Sequence, residues 1–164
     1  MKSHASLEQT LRRIPWFLDF SQEQIERLAQ IATWQEVNSG EYVFKDSERC
    51  DFLILIVEGQ VELEIEIPNH GQVPFFTAEA LDIIGWSSLT PIVRQRTASA
   101  RATQPSLLIS IQSKLLEQLC EDDHDLGFII MRRVANLVAN RLLTTRVFLM
   151  EMIAQASTEE HGLV

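Results

Sequence analysis

The sequence predicts a mainly β domain, a double-stranded β-helix (jelly roll), with helices at both ends. The apolar spacing is helical up to residue 33, alternates every second residue across 34–112, and becomes helical again afterwards. Short strands at close spacing, bounded by Gly, Pro and Asn turn signals, are typical of a sandwich or barrel. The length of 164 residues fits a single domain, 1–164, with its own core.

Residues 1–33 are predicted to form the N-terminal helices. Ser21 and Gln24 are spaced as a capping box, and Phe20 and Ile25 as the hydrophobic staple that accompanies it. The apolar residues that follow lie on one helical face, as expected for a helix packed on a core.

Residues 34–112 are predicted to form the jelly roll. The segments "EYVFKD" and "DFLILIV" are expected strands. The segment "VELEIEI" (61–67) alternates strictly, which predicts an antiparallel strand with Glu62, Glu64 and Glu66 on its solvent side. The segment "VPFFTA" forms the return strand, and "RTASARATQPSLLISI" forms two more strands with a turn near Gln104 and Pro105.

Residues 113–153 are predicted to form C-terminal helices, and 154–164 a frayed tail. A helix over 126–153 would be about 40 Å long, more than packing on a small sandwich requires. It has two apolar stripes, and one stripe suffices for a surface helix. We therefore expect one stripe to pack on the domain and the other to form a homodimer with the same helix of a second subunit. The stripes are Ile130, Val134 and Leu137, and Met131, Ala135, Val138 and Leu142.

The segment "IIGWSSLTPIVRQRTASA" (83–100) has the features of an anion-binding loop. Gly85 permits a sharp turn, and the amides near Ser87 and Ser88 begin a helical turn, where free N–H groups attract an anion. Arg96 can add a charge-assisted contact and Thr97 a hydroxyl. The alternative for Arg96 is an ordinary solvated surface arginine.

The charge and the reactive residues exclude several function classes. The net charge is −9, whereas nucleic acids and anionic membranes select basic surfaces. The longest apolar run, 52–57, is too short to span a membrane. Cys50 and Cys120 form no redox or metal motif, which favours reduced thiols in a cytoplasmic protein. The four histidines lack paired metal-ligand spacing, so we expect no enzyme and no metal site.

Three segments together resemble the cyclic-nucleotide-binding domain, the sensor module of the catabolite activator protein family. Residues 40–61 are similar to the first long hairpin of that domain, and 84–102 to its phosphate-binding cassette. Residues 140–146, "NRLLTTR", are similar to part of its dimer helix. The resemblance covers about residues 11–153 and implies a jelly roll with a regulatory, non-catalytic function.

The resemblance also implies a ligand site. It assigns Arg96 and Thr97 to a phosphate, and Thr145, with Arg146 beside it, to a base; the alternative for Thr145 is an ordinary helix-surface threonine. Residues 85–88 complete the expected site. In nucleotide-binding members a glutamate that accepts from the ribose hydroxyl follows the cassette glycine, whereas Trp86 stands here and has no acceptor. Trp86 either stacks on a ligand ring or fills the ribose space as core.

Two functions remain open. The first is a stand-alone sensor that binds a small anionic ligand, such as a cyclic nucleotide, and signals through a dimer helix. The alternative is a degenerate, ligand-free module for dimerisation or for binding an unidentified protein. Family members that bind DNA carry a helix-turn-helix domain after the dimer helix, and few residues follow Ile153. We therefore expect no direct DNA binding.

Overall fold

Two four-stranded antiparallel sheets form the body of the molecule in the computed structural model, which describes residues 4–49, 51–90 and 95–161. The spatial orders are β1-β8-β3-β6 and β2-β7-β4-β5, so chain neighbours often lie in different sheets. This arrangement, with its flanking helices, confirms the predicted jelly roll. The strands are β1 (Ala32–Val37), β2 (Tyr42–Phe44), β3 (Phe52–Glu58), β4 (Val61–Ile67), β5 (Gly71–Ala78), β6 (Ile83–Ile84), β7 (Ser99–Ala102) and β8 (Ser106–Gln112).

The N-terminal segment forms α1 (His4–Leu11), a 3-10 turn (Pro15–Phe17) and α2 (Gln22–Gln30). The predicted capping box is present. The backbone N–H of Gln24 donates to Ser21 Oγ at 3.2 Å, and the backbone N–H of Ser21 donates to Gln24 Oε1 at 3.0 Å. These two bonds satisfy donors that the first turn of a helix otherwise leaves unpaired.

Two apolar cores hold the elements together. One lies inside the roll, where residues of both sheets such as Ile56, Val61 and Leu108 are fully buried. The other joins the helices to the roll through residues such as Phe17, Leu28 and Ile109. The apolar side chains of the strands therefore pack into two different cores, one between the sheets and one between the roll and the helices.

The C-terminal segment forms α3 (Ser113–Asp122) and α4 (His124–His161). Only Asp123 separates these two helices, and its carboxylate accepts the backbone N–H of Leu126 at 2.9 Å. The helix α4 continues beyond Ile153 to His161, into the segment predicted as a frayed tail. Residues 162–164 lie outside the described part of the chain.

The two apolar stripes of α4 differ in burial. Ile130 and Val134 of the inner stripe are buried against the helical core. On the other side, Met131 is 47% exposed and Leu142 is 69% exposed. The alternating spacing of four and three residues on this side is that of a coiled-coil contact. We call this set the outer stripe: Met131, Ala135, Val138, Leu142, Thr145, Leu149, Met152 and Ala156.

Two tight turns use residues that strain the backbone. Ser47 has φ of 64° and Leu81 has φ of 78°. The left-handed region costs a non-glycine residue about 1–2 kcal/mol. Glycine adopts this conformation without that cost, so both turns are formed by residues that suit them poorly.

Glu64 differs from its prediction as a solvent-facing strand residue. Its side chain is 2% exposed. The neighbouring strands explain this, because Arg101 donates to its carboxylate and Tyr42 Oη lies 3.4 Å from Glu64 Oε2. The two side chains cover Glu64 on the outer face of the sheet and compensate its buried charge.

Candidate functional site

Gly85 allows the chain to approach the guanidinium of Arg96 closely. Its φ is 77°, in the left-handed region, and it precedes a 3-10 turn over Trp86–Leu89. A Cβ at this position would lie 2.5 Å from Arg96 Nη1 and 2.9 Å from the carbonyl oxygen of Phe52. Both conformation and space therefore require glycine here.

Arg96 is a buried cation. Its residue surface is 4% exposed, its Nη2 donates to the carbonyl oxygen of Phe52 at 2.9 Å, and its guanidinium carbon lies 4.2 Å from the ring centroid of Phe44. The alternative of a solvated surface arginine is therefore wrong. The Phe52 carbonyl oxygen and the Phe44 ring both stabilise this buried charge.

A cavity of about 50 Å³ opens beside this cation. Five of the eight predicted site residues line it: Gly85, Trp86, Ser87, Arg96 and Thr97. The remaining walls are mostly apolar, with one further cation: Phe44, Leu63, Phe75, Ile84, Ala98 and Arg141.

Three predicted site residues do not line this cavity in the single chain. The backbone N–H of Ser88 donates to the Gly85 carbonyl oxygen at 3.0 Å, so it is used within the turn. Thr145 and Arg146 are exposed on α4. Thr145 belongs to the outer stripe and is not part of the cavity wall.

Trp86 belongs to both the cavity and the core. It is partly buried, packs against the helical core and also forms part of the cavity wall. Its indole therefore occupies space next to Gly85 and reduces the volume open to a ligand. Trp86 therefore has a core contact, as in the core-filling interpretation, and also contributes to the cavity wall.

Arg141 is a site residue that sequence reasoning missed. It lies on α4, is 9% exposed and lines the cavity, with its guanidinium carbon 3.2 Å from the ring centroid of Phe76. Its Nε and Nη1 are buried without a hydrogen-bond partner among the described residues. Burial lowers the pKa of Arg141 to about 10, and the charge of Asp82 opposes this shift. The available signal was its position, one helical turn before Thr145.

The described residues contain no group of three or more His, Cys, Asp or Glu side chains arranged to hold a metal ion. Among the helices of the described chain, none is long and apolar enough to cross a membrane. Arg96 and Arg141 are the charged residues among the described residues that line the cavity, so its electrostatic character comes from them.

Comparison with known proteins identifies related domains. The family model described as "cyclic nucleotide-binding domain" matches residues 34–123, more than half of the chain. No curated protein matches. Among solved structures, one described as a putative cyclic nucleotide-binding protein from Geobacter metallireducens GS-15 is 30% identical, with a TM-score of 0.73 over 82% of this chain and 97% of that chain.

Two further structures show the fold at lower identity. A cyclic nucleotide-binding domain from Methylobacillus flagellatus KT is 24% identical, with a TM-score of 0.74 over 93% of this chain and 83% of that one. The catabolite activator protein of Thermus thermophilus is 19% identical, with a TM-score of 0.68 over 84% of this chain and 62% of that one.

Proposed function

Because this chain belongs to the cyclic nucleotide-binding domain family, we propose that it is a non-catalytic, cytoplasmic sensor module that binds a small anionic ligand and works as a homodimer. The observation that supports this most is the buried Arg96 beside Gly85 in an open cavity. A protein of net charge −9 that buries a cation at a cavity wall has a site suited to an anion.

The cassette supplies three groups that can contact an anionic ligand. Arg96 provides a guanidinium at the cavity wall, Thr97 a hydroxyl, and Gly85 the close backbone approach. A cyclic nucleotide is one candidate, with its phosphate at Arg96. Trp86 cannot accept the ribose hydroxyl in the way that a glutamate does, so recognition of the sugar would differ from that in the family's nucleotide-binding members.

The outer stripe of α4 supports the proposed dimer over residues 126–153. Exposed apolar residues at heptad spacing favour a second copy of the same helix as their partner. Arg141 lies on this helix and lines the cavity, so a ligand there would contact the dimer helix directly. Signalling would require the ligand to prefer one of two helix arrangements.

Calorimetric titration with cyclic AMP and cyclic GMP tests the cyclic-nucleotide form of this proposal. We expect binding by the native protein and its loss in Arg96→Ala, with Arg132→Ala as a matched control because Arg132 is exposed on α4. An absence of heat with either nucleotide, together with no effect of Arg96→Ala, would exclude that form. Because the net charge is −9, we expect no direct binding to duplex DNA at moderate salt.

A ligand-free interaction module is the second candidate. The packing of Trp86 against the core and the cavity volume of about 50 Å³ favour it. In that case the ligand space has become core, and the dimer helix would serve to hold a protein partner. An ordered anion at Arg96 in a crystal of the purified protein would count against this candidate.

A further inference from the structure

We infer that the cavity takes a compact ligand with two anionic groups, one for Arg96 and one for Arg141, and that short dicarboxylates are its chemical class. The inference rests on the proposed function, because it names the ligand of the same site. It goes beyond the cassette, which contains only the first of the two cations.

Arg141 provides the first reason. Its residue surface is more than nine-tenths buried, it lines the cavity, and two of its nitrogens have no hydrogen-bond partner in the described part of the chain. Leaving a buried charged donor unsatisfied is costly, so such groups in native proteins require an explanation. A ligand anion would satisfy these donors, whereas the Phe76 ring contacts only the face of the guanidinium.

The charge of the cavity provides the second reason. The described lining residues include Arg96 and Arg141 and no carboxylate. Asp82 acts on Arg141 only through space, and the described residues form no salt bridge between them. The two cations come from different elements, the loop before β7 and the helix α4, so each can meet a different acidic group of one molecule.

The size and the walls of the cavity provide the third reason. A volume of about 50 Å³ suits a few water molecules or a compact anion, since one water needs about 10–15 Å³ on this scale. Leu63, Phe75 and Ile84 give apolar walls for a short methylene chain. Trp86 takes up further space beside the turn. A ligand with two acidic ends and a short apolar centre therefore matches the site.

Calorimetry on the full chain with glutarate and with its monomethyl ester tests the second anionic contact. We expect glutarate to bind about 10–100-fold more tightly, the effect of one charge-assisted contact of about 1.5–3 kcal/mol. Arg141→Met should abolish this preference, because it removes the cation that the second carboxylate contacts. Arg141→Lys, which retains the charge without the planar fork, should keep part of it. The control Arg132→Met should bind like the native protein.

Other outcomes separate this inference from the proposed function. Equal binding of glutarate and its ester, or a preference that survives in Arg141→Met, would overturn the two-anion inference and leave a single-anion site at Arg96 intact. Binding of adenosine 3′,5′-bisphosphate, without binding of glutarate, would overturn the assignment of short dicarboxylates as the ligand class. Binding of neither carboxylate, with Arg96→Ala identical to the native protein, would count against both proposals.

Discussion

Arg141→Met is expected to stabilise the unliganded protein, because burial of the Arg141 guanidinium costs stability. Burial lowers the pKa of Arg141 to about 10. At 1.36 kcal/mol per pH unit, the lowered pKa corresponds to a destabilisation of the folded state by about 3 kcal/mol. Solvent screening reduces this destabilisation to about 2 kcal/mol. The variant also loses the cation–π contact with Phe76, which contributes about 1 kcal/mol, and a sulfur–aromatic contact of the methionine replaces part of it. The free energy of unfolding of Arg141→Met should therefore be higher than that of the native protein by about 1 kcal/mol.

Thermal unfolding at fixed protein concentration measures this effect. A gain of about 1 kcal/mol raises Tm by about 2–4 °C in a protein of this size. The cost is fully present at neutral pH, where both states are protonated, and is relieved only as the pH rises above 10, where the unfolded state binds more protons. Arg132→Met, on the exposed side of α4, should change Tm little. A fall in Tm for Arg141→Met would refute the reasoning and show that Arg141 is a structural residue.

Three further substitutions test other parts of the structure. Leu81→Gly should raise Tm by about 2–4 °C, because the strain of a positive φ at this half-exposed residue exceeds the entropic cost of glycine. An unchanged or lower Tm would show that Leu81 is not strained. Arg101→Met should cost about 1–3 kcal/mol in a denaturant titration, since it leaves the buried Glu64 carboxylate without its cation; a neutral result would show that water replaces the arginine. Leu142→Glu should convert the proposed dimer to a monomer, as measured by light scattering. Leu143 is similarly exposed but lies outside the outer stripe, so Leu143→Glu should remain dimeric. Equal behaviour of the two variants would contradict the proposed interface.

Local sequence signals were sufficient for most of the fold. The period of apolar residues follows directly from which face of a helix or strand is buried, so it predicted the roll and the flanking helices. The capping box of Ser21 and Gln24 and the turn at Gly85 also depend on neighbouring residues alone.

Features that depend on distant residues could not be predicted in this way. Glu64 is buried because Arg101 and Tyr42 come from other strands. Arg141 is indistinguishable in sequence from a solvated helix arginine, and only the packing of α4 beside the roll places it at the cavity. The resemblance indicated the helix but named Thr145 and Arg146, which are exposed in the single chain.

An electron-density map of the protein crystallised with glutarate tests the central claim most directly in the cavity between Trp86, Arg96 and Arg141. The proposed function predicts an ordered anion at Arg96, with donor–acceptor distances of about 2.7–2.9 Å. The two-anion inference adds a second acidic group at Arg141. A map in which Trp86 fills this space, with Arg96 bonded only to protein atoms such as the Phe52 carbonyl oxygen, would contradict the claim that this domain is a ligand sensor.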